Sequence, residues 1–294
     1  MTRKILIVGT VRNVAKTLAR DIALIDSALS EDFEKSYFFV ESDSNDRTLE
    51  ELHQLQKMYK DVTFVALGKL QDKIPERIER IRYCRQQYVL KIRDCQPSEN
   101  WDYVLVCDLD GINNILKLDY IQSCFNSPPP WSACFPVQTH GYYDLYALRH
   151  SVWMPHNIFT YVKQFESQVL KEIGGTTKLF ASFREYLAID KIKRNHFYSK
   201  MLKLQNRPEW IRVDSAFGGL GLYVAESFMT HDYTCLNLEK EVYSEHIDLH
   251  ASMTQDGLEL YINPKFLNSS WNSYSLNRHF VFRLYRRLGW KLRG

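Results

Sequence analysis

The sequence predicts an α/β fold with a mostly parallel central sheet flanked by helices. Apolar runs of five or six residues, rich in β-branched side chains, occur four times within the first 110 residues. Continuous apolar runs are typical of parallel strands that are buried on both faces. Apolar residues at helical spacing separate these runs. Such alternation implies right-handed βαβ units around a doubly wound sheet.

The elements of the first half follow in a regular order. Strands are expected at residues 5–10, 37–41, 62–67 and 103–107. A helix carrying Val14, Leu18, Ile22, Ile25 and Leu29 follows the first strand, and one carrying Leu49, Leu52 and Leu55 follows the second. Pro75, which suits a first helical turn, opens a third helix that extends to about residue 92.

The second half is less regular. Residues 127–130 form a stiff Ser-Pro-Pro-Pro connector; strands are expected at 131–137, 142–148 and 211–224, and a helical stretch spans about 157–205. The expected organisation is one domain at residues 1–277, with a regular half at 1–125 and a smaller, less regular half at 126–277. A basic amphipathic segment occupies 278–294.

Composition excludes several classes of protein. The chain has 294 residues, 45% of them hydrophobic, which suits a globular protein with a core. A net charge of +3 is far from the basic balance of nucleic-acid-binding proteins. The six cysteines form no CxxC pair, which argues against zinc and favours free thiols in a reducing compartment. No apolar run suits a signal peptide or a membrane span, so we expect a cytoplasmic protein.

An acidic segment follows the fourth strand directly. Asp108 and Asp110 stand two residues apart, which places both side chains on one side of an extended chain. Two carboxylates about 5 Å apart repel by about 3 kcal/mol at an effective dielectric of about 20. Mn²⁺ or Mg²⁺ would relieve this repulsion and neutralise a departing diphosphate. The alternative is a solvated turn with a helix-capping aspartate.

An Asp-x-Asp at this position resembles the hallmark motif of GT-A glycosyltransferases. Val40-Glu-Ser-Asp-Ser-Asn-Asp-Arg-Thr48 is similar to the second-strand motif of many such enzymes. The resemblance implies that Glu41 contacts the nucleobase; otherwise this stretch is a turn with helix-capping residues. Because parallel strands bind ligands at their carboxyl ends, we also expect nucleotide contacts from Thr10, Arg12 and Leu109.

The helix of residues 77–85 carries a second resemblance. Its sequence, R-I-E-R-I-R-Y-C-R, is similar to a helix of the fungal capsule α-mannosyltransferase family and its bacterial relatives. The resemblance implies an arginine contact with the nucleotide diphosphate, from Arg80 or Arg85. A guanidinium suits phosphate geometrically. A solvated basic helix face is the alternative.

The second half supplies the remaining candidates. The same resemblance implies that Asp144 hydrogen-bonds hydroxyls of the donor sugar and that Asp214 contacts acceptor or sugar; ordinary structural roles are the alternative. The resemblance implies a third metal ligand from a C-terminal histidine, and His246 fits best, with His250 in reserve. Glu245 is a candidate general base.

These resemblances imply metal-dependent transfer of a hexose from a nucleoside-diphosphate sugar, UDP- or GDP-linked, to a hydroxyl of a glycan or lipid-linked acceptor. Residues 1–125 are then the nucleotide-sugar-binding half of the domain, and residues 126–277 are the acceptor half. The capsule-family resemblance favours retention and mannose slightly. The segment 278–294 would let the protein lie on the inner face of an anionic membrane. Packing of that segment on the domain is the alternative.

Two other functions compete with this one. Val106–Gly111 also resembles the nucleophile loop of haloacid-dehalogenase-type phosphatases, with Asp108 as nucleophile and Asp110 as general acid. That loop normally follows a first strand and precedes Thr, whereas here it follows the fourth and Ile112 comes next. The other competitor is an inactive GT-A-like domain that serves only as a binding module.

Overall fold

The computed structural model describes residues 2–158, 187–233 and 244–276, together with residues 160, 162, 164, 167 and 279. Its centre is one eight-stranded sheet of order β3-β2-β1-β4-β7-β5-β8-β6. The strands are β1 (Arg3–Val11), β2 (Phe33–Glu41), β3 (Val62–Ala66), β4 (Tyr103–Cys107), β5 (Ala133–Gln138), β6 (Ile211–Val213), β7 (Leu220–Val224) and β8 (Leu260–Ser269).

Six strands of this sheet run in one direction. β1 is parallel to β2 and β4, and β2 is parallel to β3. β7 is antiparallel to both β4 and β5, so β4 and β5 share a direction, and β8 is parallel to β5. Only β6 and β7 oppose the rest. The prediction of an α/β fold with a mostly parallel sheet is confirmed.

The helices lie on both faces of the sheet. They include α1 (Leu18–Leu29), α2 (Thr48–Met58), α3 (Arg77–Glu99), α4 (Leu118–Gln122), α5 (His246–Gln255) and α6 (Ser273–Leu276). Leu52 and Leu55 of α2 are buried as expected, but Leu49 is exposed. The third helix begins two residues after Pro75 and continues beyond the expected end at residue 92.

Alternation along β1 explains the two apolar layers. Ile5 and Ile7 belong to the layer that includes Ile22 of α1, whereas Leu6 and Val8 belong to the opposite layer. Successive side chains of a strand point to opposite faces. A strand with helices on both faces therefore needs apolar residues at every position, which the run in the sequence provides.

The second half differs from the sequence prediction at two places. Residues 142–148 form a loop and not a strand, although Tyr142 and Leu145 are buried. The Tyr142 amide donates to the Leu202 carbonyl, and the Leu145 amide donates to the Tyr143 carbonyl within the loop. Residues 211–224 form two strands, because Gly218 and Gly219 adopt φ values of +75° and +86° and turn the chain between them.

Two further expectations, the helix at 157–205 and the segment 278–294, fall largely outside the described residues. Residues 187–192 are helical and continue into a π-helical stretch, Lys193–Phe197, while much of the expected helix at 157–205 lies outside the described residues. The segment 278–294, apart from residue 279, also lies outside them. Among the described helices, none is long and apolar enough to cross a membrane.

Candidate active site

A cleft of about 580 Å³ opens at the carboxyl ends of β1, β2 and β4. The ends of these strands and the loops after them contribute Thr10, Arg12, Ser42, Asp43 and the acidic segment at 108–110. The opposite wall comes from α3, from residues 143–146, from Phe217 and from Ser244–His246. The three loops therefore meet in one place, as the parallel arrangement of their strands requires.

The acidic loop is held in place by α1. The hydroxyl of Thr17 donates to the Leu109 carbonyl at 2.7 Å, and the Gly111 amide donates to Asp21 Oδ2 at 2.7 Å. The Leu109 side chain is buried beneath the loop. Asp108 is partly exposed to the cleft, and Asp110 is exposed. Anchoring on both sides of Asp110 leaves the two carboxylates facing the cleft.

Arg85 of α3 is buried between two carboxylates of this cleft. Its Nε donates to Glu245 Oε1 at 2.8 Å, and its Nη2 donates to Asp108 Oδ1 at 3.2 Å. The guanidinium carbon also lies 5.1 Å from the ring centroid of Phe217 and 5.9 Å from that of Tyr233. Arg85, expected to contact diphosphate, is thus already neutralised by protein carboxylates, and Glu245 is engaged with it.

Burial and mutual repulsion both act on the carboxyl groups. The pKa of Asp108 is raised to about 7, first because protein surrounds the carboxyl, and then through Asp110, Glu245 and Asp144; Arg85 opposes this shift. Desolvation also raises the pKa of Asp110, and the nearby charge of Asp21 adds to the effect. A cation placed between Asp108 and Asp110 would relieve an existing electrostatic cost.

The two histidines of α5 have different environments. His250 is fully buried with both ring nitrogens paired, Nδ1 to Ser215 Oγ and Nε2 to the Tyr223 hydroxyl, each at 2.9 Å. It is therefore a structural residue, and its place as a reserve ligand is not supported. His246 Nδ1 pairs with the Tyr233 hydroxyl at 3.3 Å, but its buried Nε2 has no hydrogen-bond partner.

The chemistry of these side chains suits a divalent cation. Burial, Arg85 and His250 lower the pKa of His246 far below its usual value, so its imidazole is neutral and able to coordinate a metal. Carboxylate oxygens from Asp108 and Asp110 suit Mn²⁺ and Mg²⁺. Within the described residues, no group of three or more acidic, histidine or cysteine side chains is gathered closely enough to form a complete metal site.

Cations also line the cleft. Arg12 donates from Nε to the Asp43 carbonyl at 3.3 Å and is exposed. Arg80 donates to the carbonyls of Ile74 and Pro75, so it supports the loop before α3 as well as lining the cleft. Arg77 and Lys193 also line the cleft, although the sequence argument did not select them.

The expected nucleobase contact at Glu41 needs correction. Glu41 is buried, and its Oε1 accepts a hydrogen bond from the Ser44 amide at 3.0 Å, which shapes the turn after β2. Ser42 and Asp43 reach the cleft instead. Glu41 is the last residue of β2, whose final five residues are all buried.

The two acidic candidates of the second half, Asp144 and Asp214, lie in different depressions of the surface. Asp144 lines the cleft, accepts hydrogen bonds from the amides of Gly218 and Ala147, and has a pKa raised mainly by burial. Asp214 lies in a different depression, beside Arg207 and Arg212, with an exposed side chain. The strand expected at 211–224 is interrupted after Val213, and the Asp214 amide donates to the Arg149 carbonyl.

A buried chain of amides supports the acidic loop. Asn113 Nδ2 donates to the carbonyls of Asp108 and Gly219, and Asn268 Nδ2 donates to Asn113 Oδ1 at 2.7 Å. Gln138 Nε2 donates to Asn268 Oδ1 at 3.0 Å. All three amide side chains are fully buried. The sequence argument missed them because single amides in separate segments form no local motif.

No protein-family model matches the sequence, and no curated protein matches it. Among solved structures, a mannosyltransferase from Pyrobaculum calidifontis in complex with GDP-Man and Mn²⁺ aligns with 97% of this chain at 10% identity and a TM-score of 0.46. This chain spans only 64% of that protein's length.

A second solved structure also aligns. Glucosyl-3-phosphoglycerate synthase from Mycobacterium tuberculosis in complex with UDP aligns with 91% of this chain and 69% of its own, at 12% identity and a TM-score of 0.40.

Proposed function

We propose that this protein is a glycosyltransferase that moves a hexose from a nucleoside-diphosphate sugar to an acceptor hydroxyl. The observation that carries the proposal is one cleft that is lined both by Asp108 and Asp110 and by the cations Arg12, Arg77 and Lys193. The cations suit a diphosphate, and the acidic pair suits a metal that neutralises the leaving group.

The residues have separable roles in this proposal. Asp108, Asp110 and His246 would hold Mn²⁺ or Mg²⁺, which supplies electrostatic stabilisation of the departing diphosphate. The Nε2 of His246 has no hydrogen-bond partner and lies 3.6 Å from Glu245 Oε1. Arg12 and Arg77 bind phosphate oxygens, and Ser42 and Asp43 line the end of the cleft beside β2. Asp144 and Glu245 accept hydrogen bonds or a proton on the sugar side.

Thermal shift with UDP-, GDP- and dTDP-sugars, with and without Mn²⁺, tests this proposal. We expect one nucleotide class to raise the melting temperature only when Mn²⁺ is present. The shift should disappear in Asp110→Asn and weaken in His246→Gln. His250→Gln, one helical turn away, is the matched control and should keep it. Absence of a shift with every sugar in the unmodified protein would contradict the proposal.

The two competing functions give different results. A phosphatase that uses Asp108 as nucleophile would hydrolyse a chromogenic phosphate ester, and Asp108→Asn would abolish that turnover. A binding module would show the nucleotide-sugar shift without transfer or hydrolysis of the sugar. We expect no phosphate-ester turnover, together with release of nucleoside diphosphate from the preferred sugar nucleotide.

A further inference from the structure

Tyr233 is the hydrogen-bond partner of the histidine proposed as a metal ligand. Its hydroxyl lies 3.3 Å from His246 Nδ1, and the two rings meet in a T-shaped contact with centroids 5.6 Å apart. Both side chains are buried. The hydroxyl therefore contacts one nitrogen of the imidazole, while the other nitrogen, Nε2, has no hydrogen-bond partner.

Neighbouring rings fix the orientation of the His246 imidazole. Phe217, which lines the cleft, stacks on it with centroids 3.9 Å apart and 25° between the planes. His250, one turn further along α5, lies 5.6 Å away at an interplanar angle of 16°. The ring held in this way has Nδ1 beside Tyr233 and Nε2 3.6 Å from Glu245 Oε1. That separation is too long for a hydrogen bond, so Glu245 does not hold a proton on Nε2.

Contacts with α3 hold Tyr233 in place. Its amide donates to Gln86 Oε1 at 3.0 Å, and Gln86 Nε2 donates to Asp232 Oδ1 at 2.6 Å. Its ring packs edge-on against Tyr88, with centroids 5.7 Å apart and 90° between the planes. These contacts use the main chain and the ring of Tyr233 and not its hydroxyl. Removal of the hydroxyl alone should therefore leave the ring in its place.

The pairing at Nδ1 decides which nitrogen of His246 can bind a metal. A histidine that ligates a metal through Nε2 carries its proton on Nδ1 and donates it to a neighbouring acceptor. A tyrosine hydroxyl can accept a hydrogen bond as well as donate one. The Tyr233 hydroxyl can therefore stay paired with Nδ1 whichever ring nitrogen carries the proton. Phenylalanine at this position would leave Nδ1 buried without that partner, which is costly.

We propose that Tyr233 is a positioning residue for metal binding: it accepts the Nδ1–H of His246 and so leaves Nε2 without a proton, as a ligand requires. The inference rests on the proposed function, because it takes His246 as a ligand. It adds a residue that is not part of the cleft lining. Tyr233 contributes to the orientation and basicity of the imidazole and makes no contact with nucleotide or sugar.

Mn²⁺ titrations followed by electron paramagnetic resonance test this role, with Mn²⁺ alone and again with UDP or GDP present. We expect Tyr233→Phe to raise the Mn²⁺ dissociation constant about ten- to hundredfold. Tyr223→Phe is the matched control, because it removes the hydroxyl that lies 2.9 Å from Nε2 of His250, the other histidine of α5. It should leave the Mn²⁺ affinity unchanged. Equal losses of affinity in the two variants would overturn the positioning role.

A double-mutant cycle shows whether Tyr233 acts through His246. In a His246→Gln background, which lacks the imidazole, Tyr233→Phe should cause no further loss of Mn²⁺ affinity. A further loss as large as the one in the unmodified protein would mean that the hydroxyl acts elsewhere, and would overturn the inference.

The same titrations separate this inference from the proposed function. Mn²⁺ binding by the unmodified protein that is equally tight in Tyr233→Phe overturns the role of Tyr233 and leaves the transferase proposal in place. Absence of Mn²⁺ binding by the unmodified protein, both alone and with either nucleotide, overturns the metal site on which both proposals depend.

Discussion

Arg85 Nη2 lies 3.2 Å from Asp108 Oδ1, so the first carboxylate of the acidic loop is paired with a buried guanidinium. The same guanidinium binds Glu245 at 2.8 Å. One side chain of α3 thus joins the loop after β4 to the segment before α5. The pairing reduces the repulsion among the acidic groups but leaves the pKa of Asp108 raised.

Removal of this guanidinium should be costly for stability. Arg85→Met would leave Glu245 and Asp108 without their partner in a buried setting, and we expect a loss of about 3–5 kcal/mol in the free energy of unfolding. Urea denaturation followed by circular dichroism measures it. Arg93→Met on the same helix is the control, because its ion pair with Asp232 is partly solvated and should cost less. Equal losses would contradict the prediction.

The buried amides should matter as a connected set. Asn268→Ala removes the acceptor of Gln138 and the donor to Asn113 and Gly218, which leaves buried polar groups unpaired. We expect a loss of about 2–3 kcal/mol in unfolding free energy, together with a weaker nucleotide-sugar thermal shift. Asn45→Ala, at an exposed position, should change stability by less than about 0.5 kcal/mol. If both variants lost the same unfolding free energy, the amide network would not stabilise the fold.

The elements that the sequence predicted correctly are those with a local pattern. The strand at Tyr103–Cys107 has the predicted boundaries, because five apolar residues are followed at once by charged ones. The acidic loop could be placed for the same reason. The buried amides that support this loop could not be predicted, because Asn113, Gln138 and Asn268 come together only once the sheet has formed.

Two other misses share a physical cause. α5 was not predicted because its buried positions include His246, Asp248 and His250, so no apolar stripe marks its inner face. Asp248 instead pairs with the buried Arg82 at 3.2 Å, a contact between segments 166 residues apart. At residues 142–148 the opposite error occurred: a strand was predicted where the structure has a loop, because an apolar run is equally compatible with a buried loop.

Stability should fall in mild acid because of His250. Burial and the nearby Arg85 lower its pKa to about 3, against an ordinary value of about 6.5. The unfolded chain therefore takes up a proton that the folded chain refuses. The contribution of neutral His250 to the free energy of unfolding is complete above about pH 6.5. It is lost progressively as pH falls toward about 3, by about 1.4 kcal/mol per pH unit.

A comparison at two pH values isolates this effect. Between about pH 7.5 and 5.5, the unfolding free energy of the unmodified protein should fall by about 1.4 kcal/mol more than that of His250→Gln. Glutamine can still pair with Ser215 and Tyr223. His53→Gln, at an exposed histidine, should follow the unmodified protein. An identical pH dependence in His250→Gln would show that folding leaves the pKa of His250 near its ordinary value.

The turn at Gly219 should tolerate no side chain. Its φ is +86°, and an added Cβ would lie 2.7 Å from Ile112 Cγ2 and 3.0 Å from the Tyr143 hydroxyl. Gly257 has a φ of +80° but no atom within 4 Å of the same position. Gly257→Ala therefore measures backbone strain alone, which we expect to cost about 1–2 kcal/mol. Gly219→Ala has the same backbone strain and must also displace Ile112, which lies directly after the acidic loop.

The difference between these two glycines reports on the cleft as well as on stability. The Gly219 carbonyl accepts from the Asp108 amide at 3.0 Å, so a shifted turn moves the first aspartate. We expect Gly219→Ala to lose at least twice the unfolding free energy that Gly257→Ala loses, and to lose the Mn²⁺-dependent nucleotide shift while Gly257→Ala keeps it. Differential scanning calorimetry with and without the nucleotide sugar measures both. Equal effects would mean that Ile112 moves aside freely and that the acidic loop does not depend on this turn.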